Sequence, residues 1–345
     1  MLVNIANAQA NYGAEIHIIL INELYEKSLL DKLSSQVTIH ILNRKLGSNS
    51  LGFVFRLNRV LKNINPDKLH LHGPEFYAMI FSRKFRRKTS LTLHALPTGS
   101  ASHGSFWRYL MARLTFGLKF GEELVTSIPK VFAISSSVKD AFYLKYAVNS
   151  RVIFNGILTS NFKEKESYEI SMPFRLVQIG RLDYENKGQD LLIRAISNLK
   201  GKVTVTFIGD GEGKEYLKEL SHSLGMDEYV HFLGKKSQEY IASHLRDYDL
   251  FVQPSRHEGF GLTVAEAMAS KVPVLVSSGQ GPAEVTENGT YGWVFENNND
   301  LDLANQIELI FDKYDKAKEK TNLAFNHVVN SYDVSLTAKK YLEFY

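Results

Sequence analysis

Short apolar runs alternate with segments of helical length along the whole chain, and they do so in two separate series. The first apolar run, Glu15-Ile16-His17-Ile18-Ile19-Leu20-Ile21, follows a helical pattern over residues 1–12 that Gly13 ends, with Leu2, Val3, Ile5, Ala6 and Ala8 along one side. Further strands are expected at 37–42, 68–71, 90–94, 130–134 and 152–154, with helices at 51–64, 74–85, 105–120 and 136–146. Strands joined by helices of this length pair in parallel, which predicts an α/β domain. Asn155-Gly156 closes the last strand, and the polar run from Thr159 to Ser171 has no helical or strand period, so it reads as an interdomain linker. The second series places strands at 175–179, 203–208, 229–232, 250–252, 274–276 and 293–295. Helices are expected near 187–199, 212–224, 237–245, 262–270 and 301–313, and two more, near 315–329 and 334–344, end the chain. Two such series predict two Rossmann-like parallel-sheet domains, 1–160 and 161–330, facing each other across a cleft, with a last helix over 331–345.

Composition narrows the function classes. The chain has 345 residues, 44% of them hydrophobic, and a net charge of only +4, so nothing in its charge calls for nucleic acid. No cysteine is present, which excludes disulfides, thiolate catalysis and cysteine-ligated zinc. No apolar run reaches the ~18 residues of a membrane span. The N-terminus lacks the basic-then-apolar order of a signal peptide, and a cytoplasmic protein is expected.

The richest stretch for chemistry is Ser255 to Ala269. The apolar run Leu250-Phe251-Val252 leads into a corner where Gly259 and Gly261 let a backbone approach a ligand, and the helix expected from Leu262 would offer unpaired N–H groups to an anion. Glu258 and Glu266 flank this seat, eight positions apart. A loop plus a helical turn can hold them farther apart than the ~5–9.5 Å of a hydrolase pair, which favours sugar-hydroxyl recognition by one and ribose recognition by the other. After the first strand of the second series comes Gly180-Arg181-Leu182-Asp183-Tyr184-Glu185-Asn186-Lys187-Gly188-Gln189-Asp190. Arg181 and Lys187 are placed there to stabilise a departing diphosphate without metal, or else to pair with Asp183 and Glu185 in a solvated loop.

Other motifs read as structural or stay open. Gly209-Asp210-Gly211-Glu212-Gly213 lacks full dinucleotide spacing and reads as a tight strand-to-helix turn. Asp247-Tyr248-Asp249 and Asp300-Leu301-Asp302 match a loose metal pattern but run into a strand and open a helix, so both read as structural. His94 falls at the carboxyl end of a strand, as a catalytic or a structural histidine. Lys84, Arg86, Arg87 and Lys88, with Phe106, Trp107, Tyr109, Arg113, Phe116, Lys119 and Phe120, could rest on anionic lipid at the inner face of the plasma membrane or form a core helix beside a solvated loop.

Gly-Arg-Leu…Lys-Gly-x-Asp at 180–190, Gly-Asp-Gly at 209–211, Phe-Leu-Gly at 232–234 and Pro-Ser-x-x-Glu-Gly-Phe-Gly-x-x-x-x-Glu-Ala at 254–267 together resemble the retaining glycosyltransferases of family 4, which have the GT-B fold. The resemblance covers the second domain, and the first more weakly through His94, Phe132-Ala133-Ile134-Ser135 and Asn155-Gly156. It implies transfer of a hexose-type sugar from a UDP- or GDP-linked donor to a glycan or lipid-linked acceptor in cell-surface polysaccharide synthesis. Configuration would be retained by front-face attack, with no metal and no cofactor beyond the donor. By the same resemblance Arg181 and Lys187 would hold the diphosphate, Glu258 the sugar hydroxyls, Glu266 the ribose, and the backbone of Phe260, Gly261 and Leu262 the phosphate. Leu233, Gly234 and Lys235 would line the base, His94 would touch the sugar near the reacting carbon, and the last helix would cross back onto the first domain. Family members begin with a strand and a glycine-rich loop ahead of the helix that here starts at Met1, so the coding unit is expected to extend upstream. An accessory GT-B subunit and a nucleotide-sugar epimerase are the rival readings.

Overall fold

In this computed structural model residues 1–23, 25–45, 50–97, 106–170 and 172–345 are described. The chain divides into two compact units, residues 1–156 with 334–345, and residues 157–333.

The first unit holds two parallel sheets. β1 (Ile16–Asn22) pairs with β2 (Val37–Arg44), and β3 (Leu69–Leu71), β4 (Thr89–Leu93), β5 (Lys130–Ala133) and β6 (Arg151–Val152) form a four-stranded sheet in chain order. β4 is buried at every residue, as a strand flanked on both edges should be, whereas β1 is only half-buried along its length. The helix Gly52–Ile64 buries Phe53, Val54, Leu57 and Leu61 on one stripe, against Leu42, Met79 and Ile80. The last helix, Val334–Phe344, packs against Leu2–Asn11 within this unit.

Two expected helices are cut short. Residues 74–85 form a 3₁₀ segment, Pro74–Met79, and a single turn, Arg83–Arg86, because the chain runs extended at Ile80 and Ser82. The amide of Asn58 holds this break: its Nδ2 donates to Met79 O (2.8 Å) and its Oδ1 accepts from Phe81 N (2.8 Å). Of the 105–120 segment, residue 105 lies outside the described residues, and the described part is helical only over Phe106–Leu114, since Phe116 and Gly117 adopt positive φ. An open depression of about 420 Å³ in this unit is lined by Pro129, Lys130, Arg151 and Phe344. It lies at the starts of β5 and β6, whereas ligands of open α/β sheets bind at strand carboxyl ends, and we assign it no site.

The second unit is one six-stranded parallel sheet of order β12-β11-β10-β7-β8-β9, built from β7 (Phe174–Ile179), β8 (Val203–Ile208), β9 (Val230–Gly234), β10 (Leu250–Gln253), β11 (Val274–Ser277) and β12 (Trp293–Phe295). Its core joins Phe174, Leu176, Val205, Phe207 and Leu250 to Leu192, Ile196, Leu217, Ile307 and Tyr314 of the covering helices. The strand order reverses between β7 and β10, so the carboxyl ends of these two central strands open onto the crevice where such sheets bind ligands.

The polar run after Thr159 is not a free tether. Lys163 N donates to Ala242 O (2.9 Å) and Lys165 N to Ser270 O (2.8 Å), and Tyr168 Oη donates to Lys271 O (2.7 Å). Lys165 is buried and reaches Asp249 Oδ1 (3.2 Å), while Arg175 Nε donates to Asp249 Oδ2 (3.0 Å). A fully buried carboxylate needs this compensation, and it fixes the run to the second unit. The Asp247-Tyr248-Asp249 motif is structural for the same reason. Asp302 accepts from Glu296 N (2.6 Å) at a helix start, which gives Asp300-Leu301-Asp302 a structural role too.

Candidate active site

The carboxyl ends of β7 and β10 are stitched together by backbone. After β7 the chain makes one helical turn, Tyr184–Lys187, capped by the Asp183 side chain and closed by Gly188 at φ +67°. Asn186 O then accepts from both Arg256 N (2.8 Å) and His257 N (3.1 Å), and Gln178 Nε2 donates to Lys187 O (2.9 Å). Asp190 takes a two-pronged hydrogen bond from Arg256, at 2.8 and 2.9 Å, and Arg256 also donates to Tyr184 O (2.7 Å). A planar fork held at three points is a rigid brace, so the loop of 181–187 and the corner at 254–258 move as one piece.

Lys187 and Glu258 meet across this seam as an ion pair, each side chain about four-fifths buried. Lys187 therefore does not pair with Glu185, and one of the sequence-predicted cations joins one of the predicted carboxylates. Arg181 behaves differently: its side chain is 71% exposed and its guanidinium donates to Asp183 Oδ2 at 2.7 Å, the pairing expected of a solvated loop.

The glycine corner and the helix start expected from the sequence are both present. Gly261 sits at φ +97° directly before the helix Leu262–Ala269, which has no side-chain cap. Such a helix start leaves N–H groups without intrahelical acceptors, beside the Lys187 and Glu258 pair. The Glu258 backbone is fixed by Gln280 Oε1 (3.1 Å to N) and Gly281 N (3.0 Å to O), and Thr263 Oγ1 ties the helix start to Gln253 Oε1 (3.3 Å) at the end of β10.

Glu266 faces another way. The residue is 8% exposed, and its carboxylate accepts from Gln238 Nε2 (2.8 Å), three residues beyond Lys235. Burial pushes its pKa up to about 7, because the charged form loses water with one neutral donor in return. The two glutamates are thus divided between neighbours, Glu258 with Lys187 and Glu266 with the segment after β9. Leu233, Gly234 and Lys235 close β9, and Gly234 O accepts from Gly209 N (3.0 Å). Gly209-Asp210-Gly211 is the tight turn expected, with Leu182 N donating to Asp210 O (3.0 Å).

His94 follows β4 in the first unit. Its Nε2 lies 2.8 Å from Nδ1 of His72, which itself follows β3. Burial lowers the pKa of His94 to about 4 and that of His72 to about 3. Neither His72, Gln238 nor the Asp190 and Arg256 brace was singled out from the sequence. The alternation Leu69-His70-Leu71-His72 sets both histidines on one side of a strand end, a signal that was available. The other pairs join residues too far apart in sequence to leave any.

Comparison with known proteins follows the same division. The family described as Glycosyl transferases group 1 matches residues 160–326, and the one described as Glycosyltransferase Family 4 matches residues 1–161. An uncharacterized glycosyltransferase of Methanocaldococcus jannaschii is 28% identical over 63% of this chain and 59% of its own. The N-acetylgalactosamine-N,N'-diacetylbacillosaminyl-diphospho-undecaprenol 4-alpha-N-acetylgalactosaminyltransferase of Campylobacter jejuni is 24% identical over 95% of this chain and 91% of its own. The matched stretch spans only 59%, 53% and 37% of three of the curated relatives. Among solved structures, Anabaena HepE in complex with UDP and glucose superposes with a TM-score of 0.78 at 21% identity, covering 99% of this chain and 94% of that one. A glycosyltransferase from Rickettsia africae does so with a TM-score of 0.78 at 20% identity, covering 99% and 92%. With the two family matches running nearly end to end, the chain belongs to glycosyltransferase family 4 and has the GT-B fold.

Proposed function

We propose that this glycosyltransferase moves a hexose-type sugar from a UDP- or GDP-linked donor to a glycan or lipid-linked acceptor of cell-surface polysaccharide, with retention of configuration. The observation that carries the reading is the Lys187 and Glu258 ion pair beside the uncapped helix start at Gly261. A lysine held by a carboxylate is a cation kept in place until a diphosphate arrives. When the donor binds, Lys187 exchanges part of that contact for the phosphate, and Glu258 turns its acceptor oxygens to the sugar hydroxyls. Arg181, exposed and held by Asp183, is available to close on the same diphosphate. These two cations and the helix N–H groups supply the charge that a metal would supply, which supports a metal-independent transfer.

Glu266 is assigned the ribose, the backbone of Leu233 to Lys235 the base, and His94 the donor sugar. The relatives point the same way on acceptors, since the Campylobacter protein's name describes a diphospho-undecaprenol acceptor and the Anabaena structure holds UDP and glucose. Cytoplasmic synthesis beside the membrane is part of the same proposal.

Calorimetric titration of the full chain with UDP, GDP and ADP, followed by turnover of the matching sugar donors with and without acceptor, tests it. One diphosphate should bind, with transfer only when acceptor is present. Absence of any nucleotide binding overturns the reading in favour of an accessory subunit, and donor conversion without acceptor overturns it in favour of an epimerase.

A further inference from the structure

The helix Phe106–Leu114 turns its apolar side outward. Only Ala112 on it is fully buried, packed with Ala78 and Leu124, with Tyr109 beside them. Trp107, Met111 and Leu114, at i, i+4 and i+7, form a stripe that faces solvent, with Phe106 and Trp107 each 71% and Leu114 66% exposed. Leu118 and Phe120 extend it. An aromatic chain runs on from Phe116 to Phe81 (6.2 Å between ring centres) and from Phe81 to Phe55 (5.6 Å), which is 65% exposed. Apolar side chains in this density on a surface mark something that covers them.

The charge along this stretch is mainly positive, with Glu75, which packs against Gly117 and Gly121, as an acid beside it. From Phe76 to Gly121 the sequence has no Asp or Glu and eight Lys or Arg. Arg83, Lys84, Arg87 and Lys119 are exposed, and Arg86 and Arg113 stand close enough to repel. The acids that follow are already engaged. Glu122 accepts from Tyr146 Oη (2.6 Å) and pairs with Lys145 (3.2 Å), and buried Glu123 pairs with Arg108 (3.1 Å).

We propose that this face docks the first unit on an anionic lipid bilayer, with Trp107, Met111 and Leu114 at the boundary of headgroups and acyl chains and Arg83, Lys84 and Arg87 against lipid phosphates. A bilayer surface takes all three kinds of side chain at once: aliphatic groups below, the indole at headgroup level, cations on the phosphates. A second copy of the chain would set cation against cation. A nucleic acid would satisfy the cations and the rings but leave Met111, Leu114 and Leu118 in water. The docking deepens the proposed synthesis beside the membrane and rests on that part of it, but it uses no residue assigned to the donor, so its failure leaves nucleotide binding and sugar transfer untouched.

Sedimentation of the full chain with vesicles of mixed phosphatidylglycerol and phosphatidylcholine tests it. Binding should exceed that to phosphatidylcholine alone and weaken with salt. The chain has two tryptophans, so in a Trp293→Phe variant the emission of Trp107 should shift to the blue on binding. Replacing Arg83, Lys84 and Arg87 together by Gln should weaken binding on the order of 100-fold, at roughly fivefold per cation. Trp107→Ser with Leu114→Ser should abolish it, and unchanged melting and nucleotide binding would show that both variants remain folded. No sedimentation, equal binding to both vesicles, an unshifted Trp107, self-association lost in the Trp107→Ser and Leu114→Ser variant, or binding to duplex or single-stranded DNA in place of vesicles would each overturn the proposal.

Discussion

Nδ1 of His72 lies 2.8 Å from Nε2 of His94, each ring placed just past the carboxyl end of a neighbouring strand. One ring must donate and the other accept, which requires at least one of them to be neutral. Loss of surrounding water holds both below the ordinary histidine range, at about 4 for half-buried His94 and about 3 for His72, which keeps exposed surface and feels repulsion from His94 as well. Half-buried His70 is lowered by the same cause and bonds Thr92 Oγ1 at 2.7 Å.

The sign of the pH effect follows. Between about pH 4 and the ordinary value of 6.5, the unfolded chain binds protons on these histidines that the folded one does not. Their contribution to stability is complete above that window and is lost as pH falls through it. Denaturant unfolding across the window should show stability dropping with acid, and His72→Gln should make the slope shallower. Ring NMR signals of His72 and His94 should stay those of neutral imidazole down to about pH 5; a midpoint near 6.5 for either ring would sink the argument.

Lys187→Ala leaves Glu258 about four-fifths buried with its cation gone. We expect kcat/KM for donor turnover to fall on the order of 10²- to 10³-fold, the usual cost of losing one group that meets developing charge. Folding stability should change by only about 1 kcal/mol, because the pair keeps some solvent. Affinity for the nucleoside diphosphate should drop while affinity for the free nucleoside does not. Equal losses for both would show that Lys187 only shapes the loop.

Glu266 reverses the histidine argument. Its folded pKa is raised from 4.5 to about 7, so the folded chain holds a proton that the unfolded chain has released, and stability declines as pH climbs through that interval. Glu266→Gln keeps the shape and removes the ionisation. The variant should be more stable than the parent by on the order of 2–3 kcal/mol at about pH 8 and equal to it at about pH 4. Nucleotide affinity should meanwhile fall roughly 10- to 100-fold, the range for a hydrogen bond to a charged group. A stability gain without that loss would remove Glu266 from the ribose.

The contrast between Glu258 and Glu266 shows what the sequence could and could not convey. Both were visible, because glycines and apolar runs mark a strand-to-helix corner whatever else the chain does. Their pairings were not: Lys187, itself visible as a cation, and Gln238 lie 71 and 28 positions away, and the parallel sheet order alone brings them near. Lys165 shows the reverse failure, since a polar run reads as a linker unless its buried carboxylate partner, Asp249, is known. The expected helix over 74–85 failed because Asn58 competes for the backbone at Met79 and Phe81, a tertiary contact that no local pattern announces.

If the seam between the β7 and β10 loops is what positions Lys187, damaging its backbone should cost binding even though no functional side chain is touched. Gly188 offers that test: it sits at φ +67°, and a Cβ there would lie 2.0 Å from Pro254 O. Gly201 is the control, with φ +85° and nothing within 4 Å of an added Cβ. Gly201→Ala should lose only the left-handed strain of about 1 kcal/mol, with nucleotide affinity intact. Gly188→Ala adds a clash with rigid backbone, so its loop must move. It should lose more than about 2 kcal/mol of stability and weaken diphosphate binding at least about 10-fold. Calorimetry on the two variants at the same temperature separates strain from displacement. Equal nucleotide affinity in both would mean that Lys187 reaches its place without the seam.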